Sequence, residues 1–101
     1  MISFKKFMIE YKQPYRVYHN SFTSAWDEVQ NYVQKEGYEL DKDDVEKEVT
    51  FGGAIGRARP STGETKRFNI KLLKNGKPVK KALHFQVYAT PKAYELNMYI
   101  L

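Results

Sequence analysis

No cysteine occurs in the 101 residues, which excludes disulfides, thiol catalysis and cysteine-ligated zinc and fits a reducing compartment. Long apolar runs are missing too. The longer charge-free stretches, such as residues 82–91, fall far short of the roughly 18 apolar residues that a spanning helix needs. Near the N-terminus Lys5, Lys6 and Glu10 interrupt the apolar residues before a signal-peptide core could form. Glycine is scarce outside one segment: of six glycines, four lie between Gly52 and Gly63. What the chain has instead is rings. Eight tyrosines, six phenylalanines and one tryptophan supply enough large apolar surface to offset chain entropy, so residues 1–101 are expected to form one small soluble domain of modest stability.

Acidic side chains are scarce in the C-terminal half. Residues 51–101 carry ten basic and two acidic groups, residues 21–50 three and nine, and residues 1–20 four and one. The net +5 therefore hides a cationic C-terminal block of +8 beside an acidic middle of −6. Such a block attracts polyanions. The same pattern also arises when an acidic stretch folds against a basic one, when both are solvated faces, or when copies associate head to tail.

A helix is expected over residues 3–11, where Phe4, Phe7, Met8 and Tyr11 share one face behind Ser3. Pro14 ends it, and Tyr15, Val17 and Tyr18 form an aromatic connector. The clearest helix follows. Ser24 and Asp27 read as a capping box, Phe22, Ala25, Trp26, Val29, Tyr32 and Val33 keep to one face, and Gly37 supplies the left-handed stop. In the acidic run after Leu40, Asp41 caps a short helix carrying Val45 and Val49 on one side, with a strand as the alternative. Gly52 to Thr65 reads as a long polar, basic loop, of the kind that is functional or disordered.

From Lys66 the period becomes two. Phe68, Ile70 and Leu72 lead into Asn75-Gly76, a type I′ hairpin signal. Leu83, Phe85, Val87 and Ala89 form the return strand, and a turn at Thr90-Pro91-Lys92 leads to Leu96, Met98 and Ile100. The expected fold is α+β: one or two N-terminal helices, within about 3–50, packed on one face of a three- to four-stranded antiparallel meander over about 66–101. Trp26, Val29, Phe68, Ile70, Leu83, Phe85, Val87, Leu96 and Met98 form the expected core.

The same alternation leaves Arg67, Asn69, Lys71, His84, Gln86, Tyr88, Glu95, Asn97 and Tyr99 on the uncovered face. Cations and tyrosines on a wet sheet match the chemistry of platforms that stack single-stranded bases, although any half-solvated sheet needs polar residues there. In the loop, Arg57, Arg59, Lys66 and Arg67 flank glycines that let a backbone approach closely, and Ser61, Thr62 and Thr65 add hydroxyls, so this segment suits a phosphate backbone. Lys74, Lys77, Lys80 and Lys81 crowd the hairpin, where lysine also guards against edge-to-edge aggregation.

Catalytic motifs are missing. Gly63 is followed by Glu64-Thr65 rather than the Lys-Ser/Thr of a phosphate-binding loop, and the other glycines fit no dinucleotide fingerprint. His19 and His84 are the two histidines, Asp41, Asp43 and Asp44 lack the offsets of a calcium loop, and Ser61 lies in a turn rather than a nucleophile elbow. No catalytic residue, metal or cofactor is expected.

The stretches GYELDKDD (37–44), GRARPSTGETKRFNIKLLKNGKPVKKALHFQVY (56–88) and YELNMYI (94–100) resemble a group of small proteins encoded by tailed bacteriophages. Their most specific pieces are the Arg-Pro-Ser-Thr-Gly loop, the Lys-Asn-Gly-Lys-Pro hairpin and the terminal strand. The resemblance carries no activity over to particular residues. It implies a phage source, a setting in the host cytoplasm or the virion, and action by binding. Two functions follow as expectations. The first is a non-enzymatic nucleic-acid binder in which Arg57, Arg59, Lys66, Arg67, Lys71, Lys80 and Lys81 contact phosphates while Tyr88 and Tyr99 stack on bases. The second is a protein-interaction module, an inhibitor of a host or defence factor or a virion component, using the acidic 36–48 stretch or the connector at Tyr15 and Tyr18. Neither involves a membrane.

Overall fold

The computed structural model describes residues 15–50 and 59–101. The helix expected over 3–11 and most of the glycine-rich segment, Arg57 included, lie outside the described residues. In chain order come β1 (Tyr18–His19), α1 (Phe22–Lys35), β2 (Glu39–Leu40), α2 (Lys42–Val45) running into a π-helical turn (Glu46–Thr50), then β3 (Thr65–Lys74), β4 (Lys77–Ala89) and β5 (Tyr94–Ile100). The class is α+β, as expected. The sheet has five antiparallel strands in the order β1-β5-β4-β3-β2, one more than the largest number expected. The additions are two-residue edges, too short to show any period in the sequence.

Phe22, Ala25, Trp26, Val29 and Val33 make one buried stripe on α1, and Trp26 reaches Phe85 at 6.0 Å between ring centroids. The cap is not Ser24. Ser21 holds the extended N-cap position and its hydroxyl accepts the Ser24 N–H, while the Ser24 hydroxyl is drawn to Arg16 and His19. The helix ends as its sequence predicts. Gly37 takes φ +89°, the Gly37 N–H bonds the Gln34 carbonyl and the Tyr38 N–H bonds that of Val33, which closes a Schellman motif.

Each residue expected in the core is buried. On the sheet, Phe68, Ile70, Leu83, Phe85, Val87, Leu96 and Met98 face α1, with Phe68 stacked on Phe85 at 4.7 Å. Asn75 (φ 53°) and Gly76 (φ 76°) both adopt the left-handed geometry of a type I′ turn, whose twist matches the strands it joins. Beyond the turn the register slips. Leu73 pairs with Pro78 but Lys71 with Ala82, so β4 bulges at 79–81 opposite Leu72.

Both outer edges of the meander end in side chains. Beside β5, the Val17 carbonyl accepts the Leu96 N–H at 2.7 Å, and the buried Tyr15 hydroxyl accepts the Met98 N–H at 3.0 Å, so a phenol prolongs the ladder where β1 stops. Burial, opposed weakly by the Met98 backbone, pushes the Tyr15 phenol up to about 12. Beside β3, Asp44 accepts the Lys71 N–H at 2.8 Å and Glu39 accepts the Gly76 N–H at 2.9 Å. Asp41 caps α2 through the Asp44 N–H, and Val49 is fully buried. The acidic stretch thus folds onto the basic strand through backbone donors. Among the described residues no helix is long and apolar enough to cross a membrane.

Candidate functional site

Residues directly opposite one another in a sheet share a face, so the open side is built in rows. Tyr18, Glu95, Tyr88 and Thr65 form one row, Asn97, Gln86 and Arg67 the next, and Tyr99, His84 and Asn69 the third. Lys71 lies beyond them on β3. At about 3.3 Å per residue the face runs roughly 20 Å from Thr65 to Lys71. Tyr18, Tyr88 and Tyr99 remain 47%, 39% and 45% exposed.

The lower two rows enclose an open depression of about 210 Å³ lined by Arg67, Asn69, His84, Gln86, Asn97 and Tyr99 with the edges of Phe68 and Phe85. The His84 and Tyr99 rings stack at 4.9 Å, 17° from parallel. His84 Nδ1 lies 2.6 Å from Asn69 Oδ1. With that oxygen as acceptor, Nδ1 carries the proton. The histidine is therefore oriented by an amide. Asn97 donates to Glu95 at 3.2 Å. Among the described residues no cluster of three or more His, Asp or Glu side chains is arranged to hold a metal ion.

Of the residues expected to bind phosphates or bases, Arg67, Lys71, Tyr88 and Tyr99 lie together on this face. Lys66 does not. Its neighbour across the ladder is Val87, so it extends from the edge of the helix-covered face, because alternation separates it from Arg67. Lys80 and Lys81 are exposed in the β4 bulge, towards the hairpin end. Arg59 is exposed ahead of a buried Pro60, and the loop there is tied down. The Glu64 N–H bonds the Ser61 carbonyl, and the Gly63 N–H bonds the Ala89 carbonyl at 2.7 Å. Gly63 at φ +86° makes this a type II turn. The loop therefore leaves the sheet next to Tyr88.

Two residues take places that the sequence did not assign them. Tyr18, grouped there with Tyr15 as a contact for a protein, joins the tyrosines of the open face, whereas Tyr15 is buried under Met98 and offers a partner nothing. His19 is 2% exposed. Its Nε2 donates to the Arg16 carbonyl at 2.9 Å and its Nδ1 lies 2.7 Å from the Ser24 hydroxyl, which makes it a clasp between β1 and α1. A wider groove of about 400 Å³ lies between α1 and the acidic segment, lined among others by Trp26, Gln30, Tyr38, Leu40 and Lys42. No family model matches the chain, and no curated protein or solved structure matches it either.

Proposed function

We propose that the chain is a non-enzymatic binding protein that lays a single strand of nucleic acid across the open face of its sheet. One observation carries the reading: three half-exposed tyrosines share that face with Arg67 and Lys71. Bases stack on exposed rings with little regard to sequence, and cations beside them hold phosphates. Arg59, Lys80 and Lys81 extend the cationic margin in this proposal, and Lys66, on the helix-covered side, is not part of it. The likeness to tailed-phage proteins belongs to the same proposal and sets such a binder inside an infected cell.

Fluorescence anisotropy of labelled oligonucleotides, titrated at about 50 and about 200 mM salt, tests it. Saturable binding that weakens with salt and favours single strands over duplex is the expected result. Replacing Arg67 and Lys71 together by alanine should lower the slope of log affinity against log salt by roughly 0.7 for each phosphate that is no longer neutralised. An absence of binding at the lower salt would reject the reading and turn attention to a protein partner at the groove beside α1.

A further inference from the structure

The depression on the open face has a guanidinium, an imidazole, amides and a phenol in its lining and, among the described residues, no carboxylate. Such a wall suits an anion. Two of its oxygens are withdrawn from a ligand: that of Asn97 is closed off beneath the surface, and that of Asn69 takes the His84 Nδ1 proton at 2.6 Å. His84 is held from two sides, because its ring also stacks on Tyr99 at 4.9 Å. With Nδ1 engaged, Nε2 is the ring nitrogen left to a ligand. It lies farther from the backbone than Nδ1 does, and the hydrogen bond that fixes the ring is itself exposed, so Nε2 is on the solvent side of that clamp. The charged and titratable groups sharing this face are Arg67 and Lys71 on β3, Tyr88 on β4, and Glu95 and Tyr99 on β5, with the Leu101 carboxylate opposite Ala82. Arg67 and Lys71 flank Asn69, the direct neighbour of His84. A further positive charge on the imidazole is therefore favoured most when an anion lies among them.

The geometry points to His84 as a pH-sensitive contact for one phosphate of the bound strand, seated in this depression beside Arg67. While neutral, Nε2 turns a lone pair towards the phosphate. Once protonated, it donates a charge-assisted hydrogen bond instead. Histidine is the side chain suited to make that change between about pH 5 and 8. Binding then tightens in mild acid, and by reciprocity the bound strand holds the proton on the ring. The inference rests on the nucleic-acid reading proposed above and adds regulation by pH to it.

Labelled oligothymidylate is the probe, since neither thymine nor a phosphodiester gains a proton near neutrality. Anisotropy titrations are made at about pH 5.5 and about pH 7.5, each at about 50 and about 200 mM salt. At the lower pH and lower salt, binding should be roughly fivefold tighter, the worth of one ion pair near the dielectric constant of water. The salt slope should steepen by roughly 0.7, for one more phosphate neutralised. His84→Gln should lose the pH response and keep the shallower slope. At about pH 6.5, adding the strand to the unaltered protein should move the His84 ring-nitrogen NMR signals towards the protonated form, a readout that holds even if His84→Gln does not fold. Equal affinities at the two pH values, an undiminished response in His84→Gln, or unmoved ring signals would overturn the inference and leave the binding reading standing. Failure to bind at either pH would overturn both.

Discussion

On the side covered by α1, the rings of the sheet, Phe68, Phe85 and Tyr94, are buried or half-buried and pack against Trp26 and Phe22 of the helix. On the other side they are tyrosines, exposed and in company with cations and amides. Strands β4 and β5 contribute rings to both faces, at odd spacings such as Phe85 to Tyr88 and Tyr94 to Tyr99. Alternation keeps a packing role apart from one that also faces water. The faces should therefore answer differently to the same truncation. Leu96→Ala on the covered side should cost about 2 to 5 kcal/mol in chemical denaturation, since a fully buried side chain leaves a cavity. Tyr99→Ala should cost less than about 1 kcal/mol, the range of the aromatic pair it forms with His84. Equal losses would mean that the open face is structural.

The comparison sharpens when binding is measured instead of stability. Removing Tyr88 and Tyr99 together should weaken single-strand binding by roughly 1 to 3 kcal/mol for each base that stacks on them, whereas Tyr18→Ala isolates the ring that strand pairing, rather than period, brought to this face. A double variant that binds as tightly as the parent protein would remove the tyrosines from the proposed interface.

Much of this division was legible in the sequence. The alternation at Phe68, Ile70 and Leu72, the apolar stripe around Trp26 and the Asn75-Gly76 turn are strong local signals, and the structure repeats them. The misreadings share one cause, which is that local patterns carry no information about distant partners. Ser24 has the composition of a cap, but Arg16 and His19 claim its hydroxyl. Tyr15 looks like a connector residue until Met98 supplies the backbone that it bonds. Lys66 sits next to Arg67 in the chain and on the opposite face in the sheet. Asn97 counts as one more polar alternation, and only the packing around it reveals an oxygen without a donor.

A pH scan separates the inner tyrosines from the outer ones. The Tyr15 phenol is pushed up to about 12 by burial, and burial raises Tyr32 as well. Because the folded phenol holds its proton more tightly than the unfolded chain does, its contribution is complete below pH 10 and is lost as the pH climbs towards 12. The loss is on the order of 2 kcal/mol. Thermal melts of the parent protein and of Tyr15→Phe across that window should converge as pH rises. Parallel curves would show that Tyr15 ionises as readily as an exposed tyrosine.

A small effect is also expected at the β3 edge. Asp44→Ala removes the acceptor of the Lys71 N–H and should cost about 1 kcal/mol, with Asp44→Asn restoring most of it. If both variants were as stable as the parent, solvent would be satisfying that edge as well as the carboxylate does.

The two-residue turn at Asn75-Gly76 also sets an order of events. Strands β3 and β4 are neighbours in sequence, so their hairpin can close within roughly 1 to 10 μs, as isolated hairpins do. Tyr15 and Met98, by contrast, are 83 residues apart, and their bond must wait for the loop entropy of nearly the whole chain to be overcome. The sheet is therefore expected to assemble from its middle outward and to seal its β5 edge late. In native-state hydrogen exchange the Met98 amide should open more readily than Phe85 or Ile70 at the centre, marking the seam where the finished domain first comes undone.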